Sequence, residues 1–134
     1  MKFRSVKISE KIHLALRWLV YLAQNQHKNP SSLAGFSAKE NLSFYFLQKI
    51  SRLLKKKGLI KAERGARGGY LLAKRPRKIS LKEIFEAVEG EISLIDCSDY
   101  PTCPLRRCSS RLIWQKLNKQ IITLFSRIKL SDIL

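Results

Sequence analysis

The chain has 134 residues, 45% of them hydrophobic, so it can build one compact core of ordinary size. Its 27 Lys and Arg against 10 Asp and Glu give a formal net charge of +17; a small protein this basic is suited to a polyanion, with nucleic acid the first expectation and an anionic membrane surface the rival. No apolar run approaches the roughly 18–20 residues that span a bilayer, Met1–Glu10 lacks the apolar stretch of a secretory signal, and the odd count of three cysteines fits no disulfide framework, so a soluble cytoplasmic protein is expected.

The charge is segregated. Residues 49–78 carry twelve basic side chains and one acidic, residues 79–99 one basic and six acidic, and the flanking stretches 1–48 and 100–134 carry net +5 and +6. A basic block with regular apolar spacing reads as a folded cationic surface, with the acidic block turned away from the polyanion.

In chain order, the first predicted helix runs from about Ser9, its N-cap, to Gln26, with Ile12, Leu16, Leu19, Val20 and Ala23 at helical spacing. His27-Lys-Asn-Pro30 breaks it. Ser31–Asn41 is expected to hold a short helix interrupted by Gly35. Ser43 caps the next helix, which reaches Lys57 with Phe46, Leu47, Ile50, Leu53 and Leu54 on one apolar face; Phe44 is also assigned to packing. Gly58 supplies the left-handed position that ends it. Leu59–Glu63 and Tyr70–Ala73 read as two strands joined by Arg64-Gly-Ala-Arg-Gly-Gly69, a hairpin with a basic tip. Ser80-Leu-Lys-Glu83 is a capping box opening a helix that carries Ile84, Phe85 and Val88 and ends at Gly90. Cys97–Cys108 is a loop containing Pro101 and Pro104. Ser109 or Ser110 then caps a long helix to about Lys129, with Ile113, Leu117, Ile121, Leu124 and Ile128 as a narrow apolar seam.

Three helices followed by a basic two-stranded wing is the order of a winged helix-turn-helix. The expected architecture is mainly α with a small β-hairpin wing: a DNA-binding domain over residues 1–80, then a helix, the cysteine loop (97–108) and a long dimerisation helix over residues 81–134. The seam on the last helix cannot be buried in so small a monomer, and a second copy would cover it. The helix opening at Ser43 is the candidate recognition helix. Its Tyr45, Gln48, Lys49 and Arg52 share the exposed face; Gln48 can pair with adenine and Lys49 can donate to guanine. Lys55, Lys56 and Lys57 are expected to meet phosphates. Arg64 and Arg67 extend the contact from the wing tip, where Gly68 lets the backbone approach closely.

Particular stretches resemble one family. His13-Leu-Ala-Leu-Arg17 with Leu19-Val-Tyr-Leu-Ala23, Leu42-Ser-Phe-Tyr-Phe-Leu-Gln-Lys-Ile50 leading to Lys57-Gly-Leu-Ile60, the wing Arg64-Gly-Ala-Arg-Gly-Gly-Tyr-Leu-Leu72, Trp114-Gln115 and Leu130-Ser-Asp-Ile-Leu134 are together similar to the Rrf family of bacterial transcription regulators, the IscR and NsrR group. The wing is the most specific of these. The stretch Leu33–Asn41 departs from the family in its spacing to the recognition helix.

Cys97, Cys103 and Cys108 are closely spaced soft ligands able to converge on a metal or cluster. Three readings stay open: an iron–sulfur cluster, a Cys3His zinc site, or inert or redox-active thiols. The family resemblance implies the cluster, of two or four irons, although the second cysteine gap is one residue shorter than the family's usual five. Three cysteines leave one position unclaimed. The resemblance places His13 where nitric-oxide-sensing relatives carry an aspartate ligand reaching across the dimer, and Asp96 and Asp99 compete for that role. The implied function is a homodimeric transcription regulator, a repressor on a double-stranded operator, controlled by a cluster that senses nitric oxide, iron status or redox state. The alternatives are a basic RNA- or ribosome-associated protein with a structural zinc, or the same regulator without a cluster, controlled by a partner protein or thiol oxidation. An enzyme is not expected: the sequence has no paired carboxylates in a credible pocket, no nucleophile–base pair and no phosphate loop.

Overall fold

The structure, a computed structural model, describes residues 8–26, 29–94 and 108–134. Five helices and one hairpin follow in order: α1 (Glu10–Gln24), α2 (Leu33–Glu40), α3 (Phe44–Lys56), β1 (Ile60–Glu63), β2 (Gly69–Leu72), α4 (Leu81–Glu89) and α5 (Ser109–Arg127), with short 3-10 turns at Pro76–Lys78 and Leu130–Ile133.

Helix α1 is the centre of the fold. Ser9 caps it, its Oγ accepting from the Ile12 N–H. The buried face is wider than the predicted stripe: Leu14, Ala15, Trp18 and Leu22 join Ile12, Leu19 and Ala23, while Leu16 and Val20 are half-buried. The reason is that α3, α4 and β2 all pack on α1, so one apolar stripe is not enough. Trp18 is fully buried and its ring lies 4.8 Å from Phe36, 5.9 Å from Tyr21 and 6.0 Å from Tyr70 between centroids. That cluster joins α1, α2 and β2.

Gly35 does not interrupt α2. It stands in the first turn, where its N–H donates to the capping Ser32 Oγ at 3.2 Å. The helix ends at Asn41, which takes the left-handed conformation with φ 53°. Ser43 caps α3 as predicted. Leu47, Ile50 and Leu54 face the core, but Leu53 and Phe44 are 36% and 45% exposed, contrary to expectation. Leu53 is rotated about 100° from Leu54, and Phe44 sits in the first turn, outside the three-residue core stripe. Gly58 ends the helix with φ 82°; its N–H reaches the Lys55 carbonyl and the Leu59 N–H the Leu54 carbonyl, both at 3.0 Å, which is the paired closure of a Schellman motif.

The hairpin pairs Ile60 with Leu72 and Glu63 with Gly69 in antiparallel register; the first strand starts one residue later than predicted and the second is shifted one residue toward the N-terminus. A third segment pairs with it outside the predicted elements: Ser31 bridges Tyr70, with N–H to carbonyl distances of 3.0 and 2.8 Å in the two directions. Gly69 makes this approach possible, since a Cβ there would lie 2.5 Å from the Ser31 carbonyl oxygen.

The capping box of α4 forms in both directions, Ser80 to Glu83 and back. Helix α5 starts differently from expectation: Cys108, not Ser109 or Ser110, stands at its N-cap, with no side-chain cap bond, and the helix ends at Arg127. No residue of α5 is buried. Leu112, Ile113, Leu117 and Leu124 are 70%, 64%, 39% and 55% exposed, while Phe125 packs on Phe85 of α4. The chain beyond α5 returns to the core. The Leu81 N–H bonds the Ile128 carbonyl at 2.8 Å, the Leu130 N–H bonds the Ile79 carbonyl at 2.9 Å, and Leu130 is buried. Among the described residues no helix is long and apolar enough to cross a membrane.

Glu83 offers a test of this packing. Partial burial pushes its carboxyl up, but the Lys74 ammonium, the Ser80 N–H and the charge of Lys129 together hold it below its ordinary value of 4.5. The group therefore stabilises the fold above that pH and loses its contribution as pH falls through the lowered value. Glu83→Gln should cost about 1 kcal/mol at pH 7 and progressively less as the pH is taken down through the acid range, measured by urea unfolding across that range.

Candidate nucleic-acid interface

Helix α3 presents the predicted reading face. Ser43, Tyr45, Lys49 and Arg52 are exposed and Gln48 is half-buried. Tyr45 and Lys49 lie one turn apart, and the Lys49 Nζ sits 4.7 Å from the Tyr45 ring centroid, a cation–π contact that orders both side chains. Lys55 and Lys56 continue the exposed face toward the helix end. At the wing, Arg64 and Arg67 are exposed on the tip, which Gly65 turns with φ 115°. Gly68 has a role the sequence did not reveal: a Cβ there would stand 2.5 Å from the Glu63 carbonyl oxygen and 2.9 Å from that of Gly65. The tip itself requires this glycine, whatever approaches from outside.

The acidic block acts as a local counterweight. Glu86 pairs with Lys57 at 3.1 Å and with Lys82 at 3.5 Å, and Glu83 with Lys74 at 3.0 Å. Lys57, expected to meet phosphates, is thus directed to α4. Arg17 pairs with Glu40 between α1 and α2. Among the described residues no carboxylate pairs with Lys49, Arg52, Lys55, Lys56, Arg64 or Arg67. Glu40, Glu83 and Glu86 are engaged by cations elsewhere, and those six cations of α3 and the wing tip keep their charge without an ion-pair partner among the described residues.

Of the predicted metal ligands, Cys97 and Cys103 lie outside the described residues, as do the competing Asp96 and Asp99. Cys108 begins α5 with its Sγ 2.9 Å from Ser110 Oγ. That hydrogen bond, then the Arg111 N–H, holds the thiol below its ordinary value. His13 is exposed in the first turn of α1. Among the described residues no three His, Cys, Asp or Glu side chains converge.

Three helices with a capped, cationic third helix and an arginine-tipped hairpin define a winged-helix DNA-binding protein. The model of the Rrf2 family, described as "Iron-dependent Transcriptional regulator", matches residues 8–134, and the chain belongs to that family. It is 26% identical over 129 residues to the HTH-type transcriptional regulator IscR of Erwinia tasmaniensis, spanning 96% of this chain and 78% of the relative. It is 27% identical over 131 residues to the protein rrf2 of Nitratidesulfovibrio vulgaris, spanning 96% and 87%. Among solved structures, it superposes on CymR, the global cysteine regulator of B. subtilis, with a TM-score of 0.80 and 28% identity over 96% of both chains. T. potens IscR gives 0.78 and 30% over 96% and 86%. These relatives are transcription regulators, not enzymes, and the protein is a DNA-binding transcription regulator of this type.

Lys49→Ala and Arg67→Ala should each weaken duplex binding. Each lost phosphate contact should also lower the slope of log affinity against log salt by about 1, readable by fluorescence anisotropy across a potassium chloride series. An unchanged slope in both variants would remove these two side chains from the interface.

Proposed function

We propose that the protein is a cytoplasmic, homodimeric repressor whose grip on a double-stranded operator is set by an iron–sulfur centre held by Cys97, Cys103 and Cys108. In this reading residues 1–80 read the duplex and residues 81–134 carry the dimer contact and the sensor. The observation that carries it is the state of α5. Its exposed Ile113, Leu117 and Leu124 form a stripe on a helix with no buried residue, and a second copy is the simplest apolar cover for it. Two copies related by a twofold axis would offer two α3 helices to successive major grooves.

The chemistry of the donors suits the centre: three thiols fall within twelve residues, and the one described, Cys108, is biased toward thiolate. When bound, such a centre supplies a core that reacts with nitric oxide and oxidants. The chain does the rest. Cys108 is the first residue before α5, so restraint of its thiol acts on the start of the dimer helix, while Leu130 and the Ile79–Leu130 bond pin the far end to the core. His13 of the partner copy, or Asp96 or Asp99, would fill the fourth position.

A second reading, control by thiol oxidation or a partner protein without a cluster, is favoured by one observation. The chain superposes on the oxidized form of Staphylococcus aureus CymR with a TM-score of 0.70 and 28% identity.

Anaerobic purification separates the two. The cluster reading predicts brown protein with stoichiometric iron and sulfide, Cys103→Ala colourless but folded, and His13→Ala with an altered spectrum or faster cluster loss. If the triple cysteine variant answers nitric oxide, iron limitation and oxidants as the parent does, the sensing role is wrong. Colourless parent protein whose operator binding follows thiol oxidation supports the second reading.

A further inference from the structure

We propose that Phe44 and Tyr45 select the operator by packing on thymine C5-methyl groups in the major groove. The inference rests on the role of α3 as the recognition helix. The two residues follow the Ser43 cap directly, and they are 45% and 66% exposed. The core that α3 helps to build takes Leu47, Ile50 and Leu54 and leaves both rings partly open to water. They stand on the same helix as Lys49, Arg52, Lys55 and Lys56, none of which has a carboxylate partner among the described residues.

An apolar pair set among these cations suits a partner that is anionic overall and apolar at points. Duplex DNA is such a partner. The first turn of a recognition helix is the part that meets base edges. Those edges offer donors, acceptors and a single apolar group, the methyl of thymine. Phe44 has no hydrogen-bonding atom on its side chain, so methyl contact is its means of telling one base from another. Tyr45 is already engaged on its ring by the Lys49 ammonium, 4.7 Å from the centroid. That contact orders the ring and leaves its remaining surface for a base. The hydrogen-bonding residues Gln48 and Lys49 then lie one turn further along the helix from the two rings.

The test uses the dimer purified without oxygen and a duplex it enriches from a random-sequence pool. Each thymine is replaced singly by deoxyuridine, which removes the methyl and keeps every hydrogen-bonding group. At one or two positions per half-site the replacement should weaken binding about fourfold per methyl. Phe44→Ala and Tyr45→Ala, both surface changes expected to leave the melting temperature unmoved, should each bind the thymine and uracil duplexes alike at the position that side chain reads. If uracil changes the affinity of the unmodified protein at no position, or if both variants keep its full preference for thymine, the proposal fails. A pool from which nothing is enriched overturns the recognition role of α3, and the proposal with it.

Discussion

Ser31 and Tyr70 exchange both of their main-chain hydrogen bonds, and this pair fixes the wing on the segment that leads into α2. A two-stranded hairpin alone is marginal in water. Here the segment just before α2 pairs with it, and the pairing forms because Gly69 has no side chain to strike the Ser31 carbonyl. The Tyr70 ring then meets Trp18 from the side, and Trp18 also packs on Phe36. A buried tryptophan is worth about 3–5 kcal/mol, and its neighbours here come from α2 and β2. The wing is therefore held by the core of the helical unit, and the arginines at its tip have a fixed base.

Charge follows the same economy of position. The six acidic residues between 79 and 99 include Glu83 and Glu86, and these pair with Lys57, Lys74 and Lys82 around α4. Exposed ion pairs add little stability. Their larger effect is to leave the cations of α3 and the wing tip without ion-pair partners among the described residues, so that a polyanion is drawn to one face. Non-specific attraction comes from that field; in the reading proposed above, discrimination among sequences falls to the side chains in the first two turns of α3.

Much of this was legible from local chemistry. Ser9, Ser43 and the Ser80–Glu83 box each mark a helix start through the N–H groups they satisfy, and Gly58 marks a helix end through its positive φ. Features that depend on distant partners were not legible. The width of the α1 face reflects three elements packing on it. The Ser31–Tyr70 rung joins residues far apart in sequence, and the burden on Gly68 and Gly69 appears only when carbonyls approach them. Lys57 looked like its neighbours Lys55 and Lys56 until Glu86 was placed beside it. Phe44 reads as a packing residue in the sequence, and its 45% exposure in the fold gives it a different meaning. The N-cap position of α5 falls on Cys108, which the sequence does not signal because cysteine is a poor capping residue. Of the predicted metal ligands, Cys108 and His13 fall among the described residues.

The account reduces to one face of the molecule meeting DNA. Amide hydrogen exchange, with and without a bound duplex, tests this most directly. The account predicts slowed exchange in the first turns of α3 and across the wing tip, residues 64–69, with α5 residues Lys116, Lys119 and Arg127 unaffected by DNA. Protection confined to that basic stretch of α5, with α3 and the wing unchanged, would contradict it.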